Sequence, residues 1–187
     1  YELIEGEKTE PYVGIVLSYD DLDEDELKSI SHAEQAAAAP VISPTRSSLT
    51  LGFIGAGSFA SGFLLPHLKD MSDVNLDFVC NRSGLTGADM RNKFGFRRAG
   101  TKAEEVLSDP TIGTVFIATR HGQHAPYTLE ALRHGKHVFV EKPLALNEEE
   151  LAPIEELLTS HPELAGKLLL MVGFNRRFAP LVTDMHG

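Results

Sequence analysis

The sequence has a single cysteine, Cys80, so no internal disulfide can form, and no Cys/His group has the spacing of a structural zinc site. A reducing, cytoplasmic setting without a bound metal is therefore the expectation. No apolar run is long enough to span a bilayer, and the start "YELIEGEKTE" is acidic where a signal peptide would be basic and then apolar. Neither a membrane anchor nor export is expected. A basic stripe that could neutralise phosphates along a nucleic acid is also missing, which argues against such a partner. The formal charge of −10 is unevenly placed: residues 1–50 hold 11 Asp/Glu against 3 Lys/Arg, and the remainder is close to balanced. The total describes an acidic leader, not a repulsive site.

What is present is ordinary for a soluble protein with one sizeable core: 42% hydrophobic and 24% charged residues. Residues 1–19 end in "YVGIVLSY", whose Val13, Ile15 and Leu17 alternate as in a strand. They read as the tail of a preceding domain. Residues 20–48 are charged, then alanine-rich, then rich in Pro and Ser, as in a linker, with a boundary near Ser47. The chain opens at Tyr1 without a methionine and stops at Gly187 just after structured-looking sequence, so a longer polypeptide is expected on both sides.

From Leu49 onward strands and helices alternate, the pattern of an α/β protein with a doubly wound parallel sheet. The strands predicted are "LTLGFIG", "VNLDFVC", "TVFIAT", "KHVFVE" and "LLLMVGF", with a weak one near "FRRAG". Helices are predicted over 58–69, 84–94, 102–108, 123–134 and 147–160. The last opens at Asn147, a good cap, followed by three glutamates that suit the positive end of the helix dipole. Pro66 falls inside the first helix, with Gly62 placed to absorb a kink.

Between the first strand and that helix, Gly55-Ala56-Gly57-Ser58-Phe59-Ala60 satisfies G-x-G-x-x-A. Gly55 suits a tight turn, Gly57 lets the backbone approach a pyrophosphate, and Ala60 permits close helix-to-strand packing. Free N–H groups at the helix start, from Ser58 and Phe59 on, would face the anion. The other reading is a tight turn with no ligand. In this arrangement the second strand ordinarily ends in Asp or Glu for NAD, or has an arginine nearby for the 2′-phosphate of NADP. Here it ends in Cys80-Asn81-Arg82-Ser83, with no carboxylate. Arg82 points to NADP, with Asn81 and Ser83 adding hydrogen bonds; a solvent-facing loop arginine is the alternative. Cys80 reads as a small buried hydrophobe.

The fourth strand runs into Thr119, Arg120, His121 and His124, and the fifth ends in Glu141, Lys142 and Pro143, all at the carboxyl edge where such sheets bind ligands. An ammonium at that edge can polarise a carbonyl or alcohol oxygen, or relay a proton. Singly, Lys142 reads equally as a surface lysine, and each histidine as a satisfied helix-start residue.

The glycine turn, "HVFVEKPLAL" and "MVGFNRRFAP", in that order, resemble the glucose-fructose oxidoreductase, inositol dehydrogenase and rhizopine-catabolism family of NAD(P)-dependent dehydrogenases over about residues 49–180. The resemblance implies a Rossmann domain over 49–173 that binds NADP or NAD. It implies Lys142 as the catalytic residue at the nicotinamide and substrate oxygen, Glu141 shaping the cofactor pocket, and Arg176 or Arg177 contributing as the chain leaves the domain. Family members usually have Thr-Pro-Asn where this chain has Thr119-Arg120-His121, whereas His124 matches the family's histidine. Residues 174–187 would begin a second, substrate-binding domain that is truncated, through which full-length copies would pair as homo-oligomers. The implied activity is hydride transfer to or from a small-molecule sugar, cyclitol or related hydroxyl/carbonyl compound, with little turnover from this chain alone. Residues 1–20 resemble the end of a zinc-type, medium-chain alcohol dehydrogenase domain, which implies a fusion. A non-catalytic dinucleotide-binding sensor or scaffold module is the alternative, and an S-adenosylmethionine methyltransferase a third reading that gives Lys142-Pro143 no purpose.

Overall fold

The computed structural model describes residues 49–180 and 182. The expected tail, linker and boundary near Ser47 lie outside them. Six parallel strands form one sheet: β1 (Leu49–Ile54), β2 (Val74–Cys80), β3 (Arg98–Gly100), β4 (Thr114–Ile117), β5 (His137–Val140) and β6 (Leu170–Val172), in the order β3-β2-β1-β4-β5-β6. The connecting helices are α1 (Leu65–Lys69), α2 (Gly84–Phe94), α3 (Glu104–Leu107), α4 (His124–Arg133), α5 (Glu148–Ser160) and the short α6 (Pro162–Ala165), which the sequence pattern does not announce. The doubly wound parallel sheet expected from the alternation is thus the fold. Asn147 caps α5 by accepting the Glu150 N–H at 2.9 Å.

Side chains alternate across the strands and build a core on each face. Leu51 and Phe53 pack with Ala60, Leu65, Met90 and Phe94 on one side; Ile54, Val115, Ile117 and Val140 pack with Leu132 and Ile154 on the other. Strand β2 keeps this alternation only through a bulge. Leu51 pairs with Leu76 but Gly52 pairs with Phe78, so Asp77 is the extra residue, and Leu76 and Phe78 face opposite cores despite being two apart.

The first helical segment also departs from regularity. Pro66 has no N–H to offer Gly62, and instead of kinking at Gly62 the chain widens into a π-turn over Ala60–Leu64, with the Leu65 N–H reaching back to Ala60 O. The buried residues Ala60 and Leu65, five apart, consequently share the core-facing side.

Polar groups fasten the amino-terminal side of the sheet. The buried Asp77 carboxylate accepts from Arg97 and Arg98, and Arg98 also pairs with Asp109. Lys136 is only 3% exposed; its ammonium donates to Asp109 O at 2.6 Å and Ile112 O at 2.7 Å, bracing the loop before β4. Burial lowers the Lys136 pKa. Burial alone would raise that of Asp77, but the two arginines outweigh it and hold the carboxyl below its ordinary range. A depressed carboxylate stabilises the fold above the unfolded-state value of about 3.9 and loses that contribution as pH falls through the folded-state value. Asp77→Asn should therefore lower unfolding free energy by about 2 kcal/mol at pH 7. In urea titrations the gap from the parent should close as pH drops below about 4.

Candidate active site

Strand β1 has β2 on one side and β4 on the other, so the crevice of the sheet opens at its carboxyl end. The chain there turns at Gly55, whose φ of +90° is left-handed and whose N–H donates to Cys80 O at 2.9 Å. A Cβ on Gly55 would stand 2.8 Å from Ala118 O and 2.7 Å from the Thr119 methyl. The turn is thus pressed against the end of β4 and admits only glycine. At Gly57 the situation reverses: a Cβ would meet nothing within 4 Å, and the position faces open space beside the first N–H groups of the helix, which have no intrahelical partner. Ser58 and Phe59 are exposed at this opening, and Ala60 is buried beneath it. This cradle fits a dinucleotide: nothing packs where a Gly57 side chain would project, and the unpartnered N–H groups of the helix start lie beside it.

At the end of β2, Arg82 and Ser83 are exposed, as a 2′-phosphate contact requires. Asn81 differs from expectation. It is buried, and its amide donates to Ala56 O at 3.2 Å, so it braces the glycine turn and does not face outward. The physical reason is the unpaired Ala56 carbonyl, which a buried amide satisfies. Cys80 is buried and its thiol is pushed up to about 11 by burial, with Glu105 and Glu104 adding to the effect. It is an inert hydrophobe at neutral pH.

Beyond β4, Arg120 and His121 are exposed, while Thr119 is half-buried against Gly55. His124, 1% exposed, sits with Nδ1 2.7 Å from Pro143 O and Nε2 3.1 Å from Thr119 O. Both ring nitrogens thus meet backbone carbonyls, and the exposed His121 ring lies edge-on 5.7 Å away. Beyond β5, Glu141 donates its N–H to Ile117 O at 2.9 Å, Lys142 is exposed, and the Lys142–Pro143 peptide is cis. Burial raises the Glu141 carboxyl above its ordinary range, against the Lys142 N–H and the nearby His124 and Lys142.

A cavity of about 420 Å3 opens beside Glu141 and includes Phe59, Phe63, Phe139, Phe174 and Arg177 in its wall. Arg177, and not Arg176, is the arginine of "GFNRRF" that reaches it. Sequence reasoning did not anticipate the aromatic wall or Gly173. A Cβ at Gly173 would lie 2.9 Å from Glu141 Oε1, so the glycine makes room for that carboxylate. The glycine of "MVGFN" at a strand end was the available signal.

Two substitutions separate the two glycines. Gly55→Ala should destabilise the fold by about 2–4 kcal/mol, from positive φ and overpacking together. Gly57→Ala should leave the melting temperature unchanged and weaken dinucleotide binding by at least about tenfold in calorimetry, since its methyl occupies only the approach of the ligand.

Known proteins share this arrangement. Myo-inositol 2-dehydrogenase of Thermotoga maritima is 28% identical over 130 residues, covering 70% of this chain and 37% of that protein. The crystal structure of a 3-ketoreductase from Actinomadura kijaniata in complex with NADP superposes with a TM-score of 0.63 at 25% identity, over 75% of this chain and 42% of that one. Levoglucosan dehydrogenase in complex with NADH and levoglucosan gives 0.59 at 27%, over 72% and 37%. The chain spans between 24% and 42% of the length of the curated relatives it matches. Among the described residues no helix is long and apolar enough to cross a membrane. Residues 49–173 match the GFO_IDH_MocA profile, described as "Oxidoreductase family, NAD-binding Rossmann fold", and the chain belongs to that family.

Proposed function

We propose that this chain is the cofactor-binding part of an oxidoreductase that uses NADP in preference to NAD and acts on a sugar, cyclitol or related hydroxyl/carbonyl compound. The observation that carries the reading is the meeting of two motifs at one sheet edge: the open space at Gly57 and the Glu141-Lys142-Pro143 segment, joined through the contact of Gly55 with Thr119. When bound, the nicotinamide supplies hydride acceptance or donation. The helix-start N–H groups beside Gly57 hold the pyrophosphate, and Arg82 meets a 2′-phosphate with its guanidinium fork. Lys142 places its ammonium at the substrate oxygen, where it stabilises developing negative charge and moves the proton. Phe59, Phe63 and Phe174 present an apolar wall beside Glu141.

The likeness of residues 1–20 to a zinc-type alcohol dehydrogenase end supports a further reading of the leader as the tail of such a domain, with residues 20–48 as linker. The substrate domain and pairing between copies belong, on this reading, to the larger part of the relatives' length that this chain does not span.

Calorimetric titration with NADPH and NADH is the direct test. NADPH should bind at least about tenfold more tightly, and Arg82→Ala should remove the difference; equal affinities in the parent chain would reject the NADP assignment. Within the intact polypeptide, Lys142→Ala should reduce kcat by about 100-fold or more while cofactor affinity changes by less than about twofold. Unchanged turnover would leave a binding module without catalysis.

A further inference from the structure

His124 is the first residue of α4, and it is only 1% exposed. It lies between the carbonyls of two segments that continue past adjacent strands, Thr119 after β4 and Pro143 after β5. A neutral imidazole donates from one nitrogen only, and both acceptors are satisfied at once only when both nitrogens carry a proton. The shorter contact, 2.7 Å, is the one to Pro143. The segment that carries Lys142 therefore has a tie on each side: Glu141 N–H to Ile117 O at 2.9 Å before it, and Pro143 O to His124 after it. Between these ties the lysine backbone has little freedom, and its exposed side chain starts from a fixed point.

We infer that His124 is a positioning residue: its Nδ1–H holds Pro143 O and so sets where the Lys142 ammonium stands at the carboxyl edge of the sheet. The catalytic consequence rests on the reading of Lys142 given above; the tie does not. The His124 ring engages both nitrogens with backbone carbonyls and is 1% exposed. It links the β4 end, which abuts the glycine turn, to the β5 end, which bears the lysine, so the two halves of the site share one ring.

Two amides separate the two nitrogens. Asn at position 124 carries its NH2 near the place of Nδ1 and can keep the tie to Pro143, whereas Gln carries it near Nε2 and can keep only that to Thr119. Long-range proton–nitrogen NMR of the unsubstituted chain should show a slowly exchanging proton on Nδ1. The Lys142 amide signal should shift in His124→Gln and return toward its original position in His124→Asn. Within the intact polypeptide, His124→Gln should lower kcat by at least about tenfold and His124→Asn by about threefold or less, with cofactor affinity within about twofold in both. An Nδ1 without a proton, equal Lys142 shifts in the two variants, or a loss confined to cofactor affinity would overturn the inference. A chain that keeps the Nδ1 proton and the Lys142 shift pattern but gives no heat with either dinucleotide would overturn the functional reading and leave the tie standing.

Discussion

The close approach of Gly55 to the end of β4 is the constraint on which the site depends. With backbone atoms of Ala118 at 2.8 Å from where a Cβ would lie, the turn after β1 and the segment after β4 are held at a separation no side chain could enter. That contact fixes the floor of the crevice at the point where the sheet reverses its winding. Asn81 reinforces it from the β2 side through Ala56 O, and His124 from the β5 side through Thr119 O. Three strand ends are thereby referenced to one turn, and the groups they carry inherit its precision.

The two edges of the sheet are built from different chemistry. On the amino-terminal side, charges are consumed internally: Asp77, Arg98, Asp109 and Lys136 find their partners within the fold. On the carboxyl side, Arg82, Arg120, His121 and Lys142 stand exposed. Glu141 is the exception, half-buried and raised, because Gly173 opens space for it beneath the aromatic wall. The one thiol is withdrawn from this chemistry by burial. Side-chain charge is thus spent inside the fold at one end of the strands and left exposed at the other, where the backbone contacts of Gly55, Asn81 and His124 carry the structure.

Much of this was legible in the sequence because local rules govern it. The β-strands are short apolar runs, the turn is spelled by Gly55 and Gly57, and Asn147 with three glutamates announces a helix start. What was not legible depends on partners distant in the chain. Asp77 sits between apolar neighbours in β2, and only Arg97 and Arg98, about 20 residues later, explain why it can bulge there. Asn81 turns inward because Ala56 O awaits it, and His124 is buried because Pro143 O lies on the neighbouring strand's exit. The aromatic wall joins Phe59 and Phe63 to Phe139 and Phe174, a grouping that no periodicity encodes.

The π-turn reconciles two phases that the sequence sets separately. Ala60 is placed by the ligand turn, counted from Gly55; Leu65 and Leu68 are placed by the core, counted from the helix that follows. In an uninterrupted α-helix those counts would disagree by about one residue, roughly 100° around the axis. Pro66 withholds a donor where the slip must occur, and the extra residue is absorbed there. A proline eleven positions downstream of Gly55 thus lets the nucleotide motif and the hydrophobic layer keep their own numbering on a single helix.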